Sequence, residues 1–442
     1  MFGSTLSHEK RRFSQTSLLA SAALVALSLS GAGASQAASP QTASDPIPLG
    51  TKITTANWEQ YKQFMPDGMQ ALWSGKYFWK IPAEAVLEVG PTVKIGVPTS
   101  YQNDTEKYGG QAKLVPVPST GGYKLQGYVS GQPFPRPSGP DLGLQVFYNY
   151  YYRYLPRFHQ HYWNVHFLDR YGNSSGENGF SIYTKFSHLS TPGFPTTDPR
   201  NPGIYFTLFQ EVLGPEQSKY TAQLLIYYDD VTRVEENYVF VPSLRRSLRL
   251  SSSARCAPIL GTDWTPEDVG GFNGVPSYFT AEYKGERKIL SLQHGDPRYI
   301  AKPASYYSKV FWPKPEAGMF ELRDSYVINL KRTPATSKGY CYGARIMYID
   351  KETYASLWVD TYDRDLKLYK VLTNFRTPVW DPDVKTMVVP DLGQDLYANW
   401  DMQNRHFSGS FEEPVLLDSD VPAQYRDISH YATPAGLDQV MQ

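Results

Sequence analysis

Residues 238–269 read YVFVPSLRRSLRLSSSARCAPILGTDWTPEDV; the run opens like a strand and closes like the start of a helix. Tyr238, Phe240, Leu244, Leu248 and Leu250 all take even positions, so a strand sets them on one apolar face that meets a core. Arg245, Ser247 and Arg249 take the other parity and face water. Pro242 interrupts the ladder, which points to an edge or a bulge. Arg246 is the exception on the apolar face, because a buried guanidinium needs a carboxylate or a polar ligand head group. Asp263, further along the same stretch, is the expected partner. In Thr265-Pro266-Glu267-Asp268 the hydroxyl suits an N-cap, proline suits the first helical position, and two carboxylates suit the positive end of a helix. The plain reading is a sheet rim followed by a capped helical turn.

Around this stretch the composition is that of a β-rich protein. Aromatics make up 14% of 442 residues and 34 of them are Tyr, a strand former with an apolar body and a polar tip. Gly and Pro, 34 each, supply turns and discourage long helices. Lys plus Arg equals Asp plus Glu at 43, so no basic field for nucleic acid exists.

The N-terminus has the pattern of a targeting segment. Lys10, Arg11 and Arg12 precede an apolar run from Ser17 to Leu29, and small residues lead to a cleavage site near Ala37. Residues 1–37 are therefore expected to be a signal peptide, by the general or the twin-arginine route, and the mature protein is expected in the periplasm. Residues 38–50 are expected to be disordered. The two cysteines, Cys256 and Cys341, survive cleavage, and export favours a disulfide between them over two buried thiols.

Trp58, Tyr61, Phe64 and Met65 form a short helical stripe that Pro66 stops, and Met69, Leu72 and Trp73 form a second. Such paired helices serve as core or as a lid. The densest aromatic tract runs from Phe147 to Phe167. Within it His159 and His161 share a strand face with Trp163 and Phe167. A metal is conceivable there, but no third ligand is evident and an aromatic sheet surface explains the pattern more simply. Hairpins follow from Tyr220, then a meander from Ser325 to Thr373. Residues 51–390 are expected to be one domain. Residues 391–442 read as polar helix or loop, a tail packed on the sheet.

The common catalytic signatures are missing: no Gly-x-Ser-x-Gly elbow, no phosphate loop, no His-Glu-x-x-His helix and no dinucleotide fingerprint. Carboxylates such as Asp381 and Asp383 sit in turns. What the pattern carries is a large antiparallel sheet with an aromatic face, curved around helices or a ligand.

The run Tyr238–Leu250, then Gly261-Thr262-Asp263-Trp264-Thr265-Pro266-Glu267-Asp268, Gly285, Tyr348-Ile349-Asp350, and Tyr362-Asp363 with Lys370 resembles the outer-membrane lipoprotein-sorting proteins, of LolA and LppX type. Tyr61, Gly68, Thr105-Glu106-Lys107-Tyr108, Pro133-Phe134-Pro135 and Tyr152-Arg153-Tyr154 extend the likeness to a secreted bacterial family known as domain of unknown function 1329. The resemblance implies a mainly β, half-open antiparallel barrel whose concave face is covered by short helices and holds acyl chains. It also implies a lipid-exporting transporter of the resistance-nodulation-division type, or an outer-membrane protein, as partner. This chain is more than twice the size of the simple carrier and bears a Tyr-rich insert.

The expected function is a non-enzymatic periplasmic carrier for a hydrophobic, lipid-like molecule, needing no cofactor. Ile226, Tyr228, Tyr238, Phe240, Leu244 and Trp358 are the expected cavity wall, with Arg246 and Asp263 as a structural or head-group pair. An exported hydrolase using a serine and one of His159, His161 or His166 is the alternative, and a scaffold docking through the aromatic insert is the third reading.

Overall fold

The structure, a computed structural model, describes residues 46–186, 198, 200–251, 255–259, 261–389 and 395–441. The expected signal peptide and residues 38–45 of the expected disordered start lie outside the described residues; residues 46–50 correct that expectation, since Ile47 is fully buried and the Gly50 N–H donates to the Val89 carbonyl at 2.8 Å. Alternating apolar residues form thirteen strands that pair antiparallel in one sheet. In chain order they are β1 (Phe158–Leu168), β2 (Ser174–Lys185), β3 (Ile204–Gly214), β4 (Ala222–Tyr228), β5 (Glu236–Val241), β6 (Arg246–Arg249), β7 (Phe279–Ser291), β8 (Glu321–Arg332), β9 (Ala344–Asp350), β10 (Ser356–Tyr362), β11 (Leu368–Phe375), β12 (Asp395–Asp401) and β13 (His406–Leu417).

Their order across the sheet is β6-β5-β4-β3-β2-β1-β13-β12-β11-β10-β9-β8-β7. Two meanders, β1–β6 and β7–β13, are therefore joined where β13 pairs with β1, Glu412 opposite Trp163 and Ser410 opposite Val165. A bulge after Glu412 shifts that register. The sheet is mainly antiparallel β and is not closed into a barrel. Its edges, β6 and β7, are consecutive in the chain. The chain between them must therefore pass from one edge to the other, and its described residues, 255–259 and 261–278, lie over one face as a strap.

Both faces are buried. On the strap face, Trp163, Tyr183, Met347, Val359 and Tyr397 pack beneath the strap and helix α3 (Leu142–Tyr151). On the opposite face the second meander is covered by helix α1 (Asp67–Trp73) and residues 292–320, where Trp312, Trp358 and Trp400 are fully buried. Burying an aromatic of this size stabilises the fold by roughly 4–6 kcal/mol before chain entropy is counted. The first meander is covered on that face by the C-terminal segment, with Ile428, Tyr431 and Leu437 packed on Leu224 and Phe240. The short helical pair expected around Tyr61 and Leu72 is thus core. Helix α2 (Thr99–Tyr108) lies before α3 in the chain.

Three further expectations need correction. Tyr238–Leu250 is not one strand: Pro242–Leu244 forms a 3-10 turn and Arg245 takes φ 51°, so β5 and β6 make a hairpin. The turn resets the parity. Leu244 is 51% exposed and Arg246 is exposed on the edge strand. Second, Thr265-Pro266-Glu267-Asp268 caps no α-helix; the Thr265 N–H donates to Asp268 Oδ2 at 2.8 Å and only a 3-10 turn, Val269–Gly271, follows. Third, residues 391–442 are no tail, because β12 and β13 are central strands. Their polar residues mask the alternation. Asn399, Ser408, Ser410 and Glu412 face the strap, while Leu396, Ala398, Trp400, Phe407 and Phe411 fill the other core.

Candidate functional site

The seam strand β1 carries the site. His159, His161, Trp163, Val165 and Phe167 alternate onto the strap face, opposite Tyr183, Ser181, Gly179, Glu177 and Ser175 of β2. Gly179 is required here: a Cβ would lie 2.3 Å from Trp163 Cζ2 and 2.2 Å from the Glu211 carbonyl oxygen. The indole lies over the glycine and donates from Nε1 to Ser181 Oγ at 3.0 Å.

The strap closes over this surface through a series of polar contacts. Asp263 accepts from Ser408 Oγ at 2.7 Å, and its carbonyl accepts from Asn399 Nδ2 at 3.0 Å and from Lys370. Trp264 stacks on Tyr397, centroids 5.0 Å apart and planes 10° from parallel. Asp268 pairs with Arg345 at 2.8 Å, and Arg345 also donates to the Gly271 carbonyl at 2.7 Å. Tyr227 of β4 donates to the Asn273 carbonyl at 2.9 Å. Glu267 joins Arg255 and Arg332, and a disulfide ties Cys256 to Cys341, Cα atoms 5.8 Å apart.

Between strap and seam is a cavity of about 70 Å³. Trp163, Val165 and Phe167 form its floor and Ile259, Trp264 and Val269 its roof. Its polar end holds His161, Glu412, Ser181 and Ser410. His161 Nε2 lies 2.9 Å from Glu412 Oε2, with both side chains 1% exposed. Burial pushes the His161 imidazole down to about 3. Burial pushes the Glu412 carboxyl up to about 8, against a hydrogen bond from Ser410. The pair is therefore an uncharged acid against an uncharged imidazole near neutral pH.

A family model, described as a protein of unknown function (DUF1329), matches residues 52–423. The chain belongs to the DUF1329 family. The uncharacterized protein PA3922 of Pseudomonas aeruginosa is 24% identical over 417 residues, 89% of this chain and 81% of that one. A solved DUF1329 protein from Desulfovibrio piger is similar at 13% identity and TM-score 0.47, covering 68% of this chain and 100% of that one. A putative outer membrane lipoprotein-sorting protein domain from Vibrio parahaemolyticus is similar at 14% identity and TM-score 0.45, covering 66% and 98%. Those two are likenesses only.

In this DUF1329 chain five of the six expected wall residues share a face, but it is the face away from the cavity; the sixth, Leu244, is exposed in the 3-10 turn. Ile226, Tyr228, Tyr238 and Phe240 pack with the C-terminal segment, and Trp358 lies in the tryptophan core of the other meander. Two-sided burial is the reason: an apolar parity marks a core without telling which of two cores is lined by a cavity. Arg246 and Asp263 are not a pair, since Asp263 bonds Ser408 on the strap face. His166 also turns away, its ring 5.3 Å from Phe411. Sequence reading reached Trp163 and Phe167 beside His161 but missed Glu412, whose strand reads as a polar tail. Asp381, Asp383 and Asp418 gather carboxylate atoms within 4.8 Å of one another. They accept from the backbone N–H groups of Asp383, Val384, Phe158 and Ser419, so Asp381 closes a turn while Asp383 and Asp418 tie separate segments together.

Proposed function

We propose that this protein is a non-enzymatic carrier for an apolar, lipid-like molecule, exported to the periplasm and working with a lipid-exporting transporter or an outer-membrane protein. The observation that supports it is the cavity: an apolar floor on the sheet and an apolar roof on a strap that, among its described residues from 255 to 277, is held to the sheet through side chains and not by a backbone ladder. About 70 Å³ is far smaller than the roughly 300–1,000 Å³ of a small-molecule site. The structure is then the closed form, and loading lifts the strap from the seam. Each methylene taken from water contributes about 0.8 kcal/mol, so eight would supply roughly 6 kcal/mol without a catalytic group. The Cys256–Cys341 bond suits an oxidising compartment.

The test is native mass spectrometry of the mature protein from its own periplasm, followed by solvent extraction and lipid analysis. A stoichiometric apolar passenger, lost in Val165→Asp, is expected. An empty protein that takes up no apolar dye would end the reading.

A hydrolase is the second reading, favoured by Ser181, Ser410 and His161 sharing one cavity. Ser181 Oγ, however, accepts from Trp163, and Ser410 bonds Glu412. Labelling of either serine by a fluorophosphonate would support that reading over the carrier.

A further inference from the structure

Three buried polar atoms of the cavity have no hydrogen-bond partner: Glu412 Oε2, which faces His161 at 2.9 Å, and one nitrogen on each of two opposite walls. On the sheet, His161 turns Nε2 to Glu412 and leaves Nδ1 buried without a hydrogen-bond partner. On the strap, Trp264 is 5% exposed and its indole Nε1 is also buried without one. Both residues line the cavity. The other polar side chains there have bonds: Ser181 with Trp163, Ser410 with Glu412, Gln210 donating to Gln223 at 2.6 Å. A buried polar group left unpaired costs about 1–3 kcal/mol, so such a pair in one cavity asks for a third party.

We propose that the cavity recognises the uncharged hydroxyl end of its apolar passenger, which donates to His161 Nδ1 and accepts from Trp264 Nε1. Indole offers only a donor, and an imidazole whose Nε2 carries the proton offers an acceptor at Nδ1. A hydroxyl is the smallest group that answers both. A charged end does not suit the site. The imidazole and the Glu412 carboxyl are both held uncharged by burial, so a carboxylate or an ammonium would enter with no counter-charge beside it. Glu177, half-buried at the rim, is likewise pushed up by burial. The inference rests on the carrier reading and adds to it the class of passenger.

Its test is competition of decanol, decane, decanoate and decylamine for the wild-type protein against a fluorescent apolar dye. Decanol should bind at least about fivefold more tightly than decane, the net worth of two hydrogen bonds, and more tightly than either charged chain. His161→Phe should remove that preference and keep decane binding, and Trp264→Phe should reduce it in the same way. The ranking in the wild-type protein decides the matter even if a variant fails to fold. Equal binding of decanol and decane, or a lead for decanoate or decylamine, overturns the hydroxyl site and leaves the carrier standing. Failure of all four probes and of the dye overturns both.

Discussion

Asp268 on the strap and Arg345 on β9 meet at 2.8 Å with neither side chain open to water. Burial alone would push the Asp268 carboxyl up, but Arg345 and then Lys370 hold it below the usual carboxylate range. The pair fixes the strap over the second meander while the cavity lies over the seam. A second anchor, Asp263 on Ser408, holds the strap at the seam strand itself.

Asp268→Asn or Arg345→Met alone should destabilise the protein by about 3–5 kcal/mol, because each leaves a buried group without its partner. Replacing both with apolar residues should cost much less. Urea denaturation of the two single variants and the double variant measures this. A lowered carboxyl contributes stability above its ordinary pKa and loses it as pH falls through the lowered value. The Asn variant should therefore differ most from wild type at neutral pH and least in acid.

Asp360 behaves in the opposite sense. Burial, opposed by the Gly68 N–H and assisted by Asp67, pushes its carboxyl up to about 7. Gly68 has no Cβ to strike Asp360 Oδ1, and its N–H donates to Asp360 Oδ2 at 3.0 Å, which seats α1 on β10. Stability from a raised carboxyl is present below its ordinary value and is lost as pH rises through about 7. Glu412 acts in the same direction up to about 8. Thermal melts should show higher stability near pH 5 than near pH 8. Asp360→Asn should flatten that slope, gaining up to roughly 4 kcal/mol on the alkaline side. A wild-type melting temperature that rises with pH across this range would contradict the assignment.

The sheet was legible because runs rich in β-branched and aromatic residues are cut by turn residues; Tyr220–Tyr228, ended by Asp229-Asp230, and the meander from Ser325 to Thr373 show it directly. The disulfide followed from export chemistry and cysteine number. The site was half legible. Trp163 and Phe167 beside His161 stand on one strand, and period-2 reading aligns them. Glu412 was hidden because its strand alternates between apolar residues and polar residues that are satisfied by a cross-sheet strap, a partner far away in sequence. The wall residues went to the wrong core for the same reason. Parity gives a face, and only the β1–β13 seam, joining residues about 250 positions apart, decides what covers it.

The disulfide should govern the strap. Cys256 lies on it and Cys341 precedes β9, 85 residues on. A loop of that length constrains the unfolded chain by about 4–5 kcal/mol. Beyond stability, the double variant Cys256→Ser, Cys341→Ser should let the roof residues Ile259 and Trp264 leave the seam more readily. Dye uptake should become faster while the plateau is unchanged. A slower uptake, or none, would show that the bond shapes the cavity and does not merely limit its opening.

Gly179 gives the sharpest test of the floor. Its hydrogen lies where a Cβ would strike both the Trp163 ring and the Glu211 backbone, at 2.3 and 2.2 Å. The carbonyl belongs to the paired neighbouring strand, so the backbone cannot yield cheaply and the indole must also tilt. Gly179→Ala should cost about 1–3 kcal/mol by overpacking. It should break the Trp163–Ser181 hydrogen bond and raise the floor into a cavity of only about 70 Å³. Ser181→Ala is the control, since it removes the same bond, at about 1 kcal/mol, and leaves the ring lying flat. If the cavity is the binding site, Gly179→Ala should lower affinity for an apolar dye well beyond Ser181→Ala at equal folded fraction. Equal losses in the two variants would trace the effect to the hydrogen bond, and undiminished binding in both would place the passenger elsewhere on the sheet.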